Sequence, residues 1–178
     1  NLIQQYPERF PRIIGAVNVS DLDKKTMIAQ CLTNSELKLL RPHGDPLYYV
    51  DPCIREISTM KRENISPEQF KKSIEIAEKA WNATPDLYHE KGAHKGKMKA
   101  EYVKAKEQIE KNKELLIVYQ AYEQALTDSH KYDFDDMIME VARVLESDED
   151  FRLTVQESYQ YVLADEHQDA NNAQNNLI

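Results

Sequence analysis

The sequence predicts a mainly α-helical protein, in which a helical region is followed by part of an α/β domain that carries one core strand. Three observations lead to this fold class. Most segments between residues 20 and 158 place apolar side chains three or four residues apart, which is the spacing of one helix face. Several of these segments begin with residues that cap helices. Only one short apolar run, Tyr161 to Ala164, is typical of a buried strand of a parallel sheet.

The first third of the chain alternates loops with short helices. Residues 1–18 contain two prolines and are predicted to form an irregular entry segment. Ser20 is expected to cap a helix, and a second short helix is predicted over residues 35–40. Residues 41–50 hold two prolines and a glycine, which indicates a loop. The next helix is predicted to be capped by Asp51, with a proline at its first position.

The remainder of the chain contains longer helices. Residues 66 to 69 (Ser-Pro-Glu-Gln) combine a capping box with a proline at the first helical position, which is the clearest helix start in the sequence. After a predicted loop over residues 82–97, a long helix is expected from Met98 to Leu126. Asp133 is predicted to cap another helix, and a short helix over residues 151–158 leads into the predicted strand.

Composition and charge limit the classes of function. The net charge of −8 argues against strong DNA binding by this chain alone, although residues 91–113 hold eight lysines against three acidic residues. The two cysteines, Cys31 and Cys53, are too few for a disulfide scaffold or a thiolate metal site and are expected to be small buried side chains. No apolar run approaches the roughly 18 residues of a membrane span. We therefore expect a cytoplasmic protein without a membrane contact.

Two adjacent carboxylates, Asp165 and Glu166, follow directly after the predicted strand. Ligands of open α/β sheets bind outside the carboxyl ends of the strands, so both side chains are expected to face a ligand. One carboxylate can hold Mg²⁺, directly or through water, while the next orients or deprotonates an attacking water. This pattern is the physical form of a Walker-B element.

Two segments resemble a known family. Residues 165–174, Asp-Glu-His-Gln-Asp-Ala-Asn-Asn-Ala-Gln, resemble motif II of the UvrD/Rep-type superfamily 1 DNA helicases. Residues 132–138, Tyr-Asp-Phe-Asp-Asp-Met-Ile, resemble the segment that precedes motif II in these helicases, at about the same separation. His167 stands where the family usually has an aromatic residue, and Ala170 stands where it usually has Thr. Neither departure removes a carboxylate.

The resemblance implies a parent protein that couples hydrolysis of ATP with Mg²⁺ to translocation on single-stranded DNA and to duplex unwinding. It implies Asp165 as the Mg²⁺ ligand, Asp165 and Glu166 as the residues at the nucleotide, and Glu166 and Gln168 as the catalytic residues. Residues 1–127 would be the 1B-type helical insertion, and residues 128–178 part of the P-loop NTPase-type 1A motor domain. The implied partners are single-stranded and duplex DNA and proteins of a repair or replication complex, in a bacterial-type cytosol or nucleoid.

The sequence contains no G-x-x-x-x-G-K-[ST] phosphate-binding loop, and it starts at Asn1 without Met. We therefore expect a piece of a larger protein. We expect this piece alone to be inactive because it lacks the loop that binds the phosphates of ATP. Two alternatives stay open. The parent could be the motor subunit of a helicase–nuclease, or the chain could be a non-catalytic helical interaction module with a vestigial motor strand.

The candidate DNA-binding residues are Lys91, Lys95, Lys97 and Lys99, which cluster near a predicted loop with Tyr88 close by. Basic groups beside aromatic rings suit a surface that follows a nucleic-acid backbone. The alternative is a solvated lysine face on a long helix.

Two further groups of residues have the composition of metal sites. Asp133, Asp135 and Asp136 are explained without a metal, because one caps a helix and the other two lie in its first turn, near the positive end of the helix dipole. His89 and His94 are too far apart to pair on one face of a helix, so no zinc site is predicted there.

Overall fold

The computed structural model describes residues 2–85, 87–88, 95–159, 161, 163, 170 and 172–175. Within these residues the protein is mainly helical, which confirms the predicted class. The helices are α1 (Leu2–Gln5), α2 (Asp21–Asn34), α3 (Val50–Arg62), α4 (Pro67–Asn82), α5 (Ala100–Asp128), α6 (Phe134–Ser147), α7 (Glu149–Ser158) and α8 (Asn172–Asn175). A 3₁₀ helix spans Pro7–Arg9, and two short strands, β1 (Val17–Asn18) and β2 (Lys131–Tyr132), pair in parallel.

Each of the two strands leads directly into a helix that begins with a capping box. Ser20 caps α2 by accepting a hydrogen bond from the backbone N–H of Asp23, and Asp133 caps α6 by accepting one from the N–H of Asp136. Both caps confirm the predicted helix starts. Because the paired strands are parallel, α2 and α6 begin side by side at the same edge of this small sheet.

The predicted core strand over Tyr161–Ala164 is wrong at the residues that the structure describes. Tyr161 and Leu163 lie in no strand and expose 89% and 98% of their surface. A strand needs a neighbour that pairs its backbone N–H and C=O groups. In the described part of the chain, β1 and β2 pair only with each other, so no partner strand lies beside this segment. Val162 and Ala164 lie outside the described residues.

The helix predicted over residues 35–40 is also wrong, because a distant carboxylate accepts hydrogen bonds from the backbone of this segment. The N–H groups of Lys38, Leu39 and Leu40 donate to the two carboxylate oxygens of Glu114 on α5, over distances of 2.8 to 3.1 Å. The segment satisfies these donors through Glu114 and so forms no helical hydrogen bonds there. The other predicted helix starts and ends differ from the observed ones by no more than two residues. The predicted cap at Asp51 is wrong, because α3 begins one residue earlier, and Asp51 lies in its first turn behind the N-cap residue Tyr49.

Two hydrophobic clusters hold the helices together. The larger one lies between α2, α3 and α5, where Ile57 and Leu126 are fully buried. Cys31 and Cys53 belong to it as free, buried side chains, which confirms their predicted role. The smaller cluster joins the entry segment to α6 and α7 through the following side chains: Ile3, Phe10, Ile13, Val141, Val144 and Phe151. None of the described helices combines the length and the apolar character that a membrane crossing requires.

Candidate functional site at the end of α3

The residues predicted to carry the chemistry, Asp165, Glu166 and Gln168, lie outside the described residues, so their roles stay predictions. The structure describes the helices on either side of them. The helix α7 ends at Ser158 before the motif, and α8 begins at Asn172 after it.

Three of the four predicted DNA-contacting lysines are described, whereas Lys91 lies outside the described residues. Lys95 and Lys97 are exposed, and Lys99 is half-buried at the N-cap of α5. An isolated β-bridge joins the exposed Tyr88 to the residue before Lys99. The structure thus places an aromatic ring and two exposed lysines in one short surface segment, but DNA contact there stays a prediction.

A buried cluster of ion pairs lies at the C-terminal end of α3, and its centre is Lys61, which is fully buried. Its Nζ lies 2.6 Å from Asp136 Oδ1 and 2.9 Å from Asp133 Oδ2. It also lies 2.6 Å from Glu123 Oε1, in an ion pair that lacks hydrogen-bond alignment at that oxygen. The ring of Tyr122 is 5.1 Å away, and its hydroxyl donates to Asp133. One ammonium group thus ties α3 to α5 and to the start of α6.

Further cations surround the carboxylates of α6. Lys24 Nζ, on α2, lies 3.3 Å from Asp133 Oδ2. Arg62 Nε, the neighbour of Lys61 on α3, lies 3.2 Å from Asp135 Oδ1. Each carboxylate in the first turn of α6 therefore faces a positive charge from another helix, in addition to the helix dipole.

The cluster as a whole is electrically balanced. Arg12 Nη2 lies 2.6 Å from Glu123 Oε2, the oxygen that Lys61 does not reach. Buried charges are tolerated when they are paired in this way. Four basic and four acidic side chains take part: Arg12, Lys24, Lys61, Arg62, Glu123, Asp133, Asp135 and Asp136.

Burial and neighbouring charges shift the pKa values of two carboxyls in opposite directions. Burial alone would raise the pKa of Asp133, but the ammonium groups of Lys61 and Lys24 outweigh it and lower this pKa to about 2. For Asp136, burial together with the carboxylates of Asp133 and Glu123 prevails over Lys61 and raises the pKa to about 6. Asp136 is therefore protonated before Asp133 when the pH falls.

The end of α3 is held rigidly just behind Lys61 by a Schellman motif. The N–H of Ile65 donates to the carbonyl of Met60 at 2.8 Å, and the N–H of Asn64 donates to that of Lys61 at 2.9 Å. Asn64 has a φ of 56°, in the left-handed region that Asn adopts more readily than most residues. The Tyr119 hydroxyl donates to the carbonyl of Ile65 at 3.1 Å and fixes the turn to α5. We call residues 61–65 the α3 corner.

The α3 corner contacts α6 and α8, which come before and after the predicted motif II in the chain. On the preceding side, Lys61 and Arg62 bind the carboxylates of α6. On the following side, the side-chain amide of Asn172 on α8 donates to the carboxylate of Glu63. The helix α8 also packs against α3 and α6. One turn therefore contacts both α6, which α7 separates from the motif, and α8, which follows the motif in the chain.

A cleft of about 850 Å³ opens beside the cluster, and its walls include Arg12, Glu123, Asp136 and Arg143. Among the described residues, no group of three or more His, Cys, Asp and Glu side chains is arranged to hold a metal ion. The three aspartates at the start of α6 face ammonium and guanidinium groups.

Sequence reasoning found the cap of α6 but missed its partner. A signal was present, because Lys61 follows the buried Ile57 by four residues and so lies on the buried face of α3. A lysine on that face needs carboxylates, and Asp133, Asp135 and Asp136 exceed what one helix cap requires. The two observations together would have indicated a pair between α3 and α6.

A comparison with protein families finds a match to the UvrD/REP helicase N-terminal domain over residues 8–178. The chain belongs to this family. The match confirms the predicted resemblance to UvrD/Rep-type helicases, and it includes the α3 corner, the ion-pair cluster and the predicted motif II of the UvrD/REP domain. No curated protein and no solved structure matches the chain significantly.

Proposed function

We propose that the protein carrying this domain is an ATP-dependent DNA helicase that couples Mg-ATP hydrolysis to translocation on single-stranded DNA and to duplex unwinding. The family match over residues 8–178 carries the proposal, and it includes the adjacent carboxylates Asp165 and Glu166. Residues 1–127 would form the helical insertion and residues 128–178 part of the motor domain.

The donor set at the predicted motif fits Mg²⁺ by its chemistry, because Mg²⁺ prefers a small number of carboxylate oxygens together with phosphate oxygens. In this proposal, Asp165 holds the ion and contacts the bound ATP with Glu166. The ion would neutralise charge on the phosphates. Glu166 orients and deprotonates the attacking water, and Gln168 helps couple the nucleotide state to DNA.

We also propose that Lys91, Lys95, Lys97 and Lys99 contact the DNA backbone. Within the described part of the chain, Lys95 and Lys97 form no ion pair with another described residue and are exposed. Farther along α5 the lysines are partly neutralised by acidic side chains, as in the pairs Lys111–Glu107, Lys113–Glu110 and Lys113–Glu78. The positive charge that could meet phosphates is therefore concentrated at the start of this stretch.

The experiment that tests the motor is ATP hydrolysis by the full-length protein, with and without single-stranded DNA, for wild type and Glu166→Gln. We expect DNA to stimulate the wild type, and we expect the variant to lose about 100-fold or more in kcat because the attacking water loses its base. A variant as active as the wild type would contradict the role of Glu166. A wild type without hydrolysis in the presence of DNA would contradict the helicase proposal and favour the interaction module.

A further inference from the structure

We propose that the α3 corner is a positioning element for motif II: Lys61 and Arg62 hold the start of α6, Glu63 holds α8 after the motif, and the corner so couples the helical region to hydrolysis. This inference rests on the proposed function for its effect on ATP turnover. It adds roles for three residues outside the motif, which would act through the placement of Asp165 and Glu166 and not by touching the nucleotide.

The first argument is that the α3 corner is a fixed reference point. Its turn is closed by the two hydrogen bonds of the Schellman motif, and Tyr119 holds its last carbonyl. The preceding turn of α3 is buried in the larger hydrophobic cluster through Ile57 and Met60. Movements of α3 and α5 are therefore transmitted to whatever binds the corner, because packed elements move as units.

The second argument is the continuous path from the corner to the end of α7, which precedes the motif in the chain. Lys61 anchors the first turn of α6, and Asp148 ends α6 and caps α7 by accepting from the N–H of Phe151 at 2.9 Å. The ring of Phe151 is buried against Tyr6 and Phe10. Residues 131–158 form β2, α6 and α7 with single residues between them, so the position of Lys61 bears on where α7 ends.

The third argument is the contact on the far side of the motif. Glu63 is half-buried, Asn172 is exposed, and the hydrogen bond between their side chains joins the corner to α8. An exposed bond of this kind adds little to overall stability. Its effect should instead be local, since it fixes the chain three residues after Asp169. Loss of this bond should therefore alter the motif while leaving the overall stability unchanged, and this combination distinguishes a positioning role from a purely structural one.

The test compares Glu63→Ala and Asn172→Ala in the full-length protein with Glu75→Ala, an exposed carboxylate on α4 that serves as the matched control. At saturating single-stranded DNA, we expect each single variant to lower kcat for ATP about 3- to 10-fold, because small displacements of catalytic groups are costly. The KM for ATP and the melting temperature should stay at the control values. The double variant should match either single variant, because both remove the same contact.

Glu63→Gln keeps an oxygen that accepts from the amide of Asn172, so it should restore kcat to within about 2-fold of wild type. Wild-type kcat in both Glu63→Ala and Asn172→Ala would overturn the inference. So would equal losses in the Glu75→Ala control.

A second measurement separates this inference from the proposed function. Hydrogen–deuterium exchange of peptides over residues 159–171 should be faster in Glu63→Ala than in wild type and Glu75→Ala, whether or not the protein hydrolyses ATP. Unchanged exchange in Glu63→Ala would overturn the positioning inference. Absence of wild-type hydrolysis alone would overturn the proposed function and leave the exchange result to decide the role of the corner.

Discussion

Two buried regions meet on α3 and are built in opposite ways. In the larger hydrophobic cluster, Ile57 and Leu126 are both fully buried, and neither side chain has a charge to satisfy. One turn later on the same helix face, Lys61 is equally buried but is surrounded by Asp133 and Asp136. The apolar region stabilises the fold without a preferred direction, whereas the ion pairs hold their partners at particular distances and angles.

The two regions should therefore respond differently to substitution. Apolar cores tolerate changes of shape when volume is conserved. A buried ion-pair cluster adds little net stability over an apolar substitute, but the removal of one partner strongly destabilises the protein. The ion-pair cluster is therefore suited to fix the position of α6, while the apolar cluster supplies the bulk of the stability.

The largest expected effect comes from Lys61→Met. The change leaves the buried carboxylates of Asp133 and Asp136 without their central cation, so the free energy of unfolding should fall by about 4 kcal/mol. Urea denaturation followed by circular dichroism measures it. The control Lys79→Met, at an exposed position of α4, should change this free energy by less than about 0.5 kcal/mol. Equal effects of the two changes would remove the distinction between the regions.

The apolar region should respond to volume and not to charge geometry. Leu126→Ala creates a cavity and should lower the free energy of unfolding by about 3 kcal/mol, whereas Leu126→Met keeps most of the volume and should cost less than about 1.5 kcal/mol. At the ionic site, Lys61→Arg keeps the charge but changes its shape, and it should cost more than Leu126→Met does. A Lys61→Arg variant as stable as wild type would show that charge alone matters there.

A smaller effect is expected from pH. The folded pKa of Asp136 is raised to about 6 from an ordinary value of 3.8, so the native state binds this proton more tightly than the unfolded chain does. Its contribution to stability therefore grows as the pH falls from about 6 toward 4 and is lost as the pH rises through about 6. Asp133 has the opposite sign, and its contribution is lost only between about pH 4 and 2.

Asp136→Asn removes this titration. The stability difference between wild type and Asp136→Asn should therefore be more favourable to wild type at pH 4.5 than at pH 7, by roughly 1–2 kcal/mol. Thermal or urea denaturation at the two pH values measures the difference. A difference that is independent of pH would show that Asp136 keeps an ordinary pKa in the folded protein.

The features that the sequence predicted are those that a few neighbouring residues determine. The capping boxes at Ser20, Ser66 and Asp133 each depend on a side chain and a backbone group three residues away, so the local pattern was sufficient. The Asp-Glu pair of motif II and the family resemblance are likewise local. The family match confirmed the resemblance, while the roles of Asp165 and Glu166 remain predictions.

The features that the sequence did not predict depend on distant partners. Lys61 binds Asp133 and Asp136, which lie 72 and 75 residues away in the sequence. Glu114 accepts hydrogen bonds from the backbone of residues 38–40, which lie 74 to 76 residues away. The local periodicity of a sequence carries no information about such contacts. The two-residue strands are too short for an alternating pattern, and the strand predicted from an apolar run had no described neighbour to pair with.

Charge balance in the ion-pair cluster is tested most directly by comparing Lys61→Met alone with Lys61→Met combined with Asp133→Asn and Asp136→Asn. Each Asn keeps an oxygen that can accept the capping hydrogen bonds, so the combined variant removes charge without removing the caps. If the carboxylates are tolerated only because Lys61 compensates them, the combined variant should regain roughly half or more of the stability lost in Lys61→Met. A combined variant that is less stable than Lys61→Met would contradict this account.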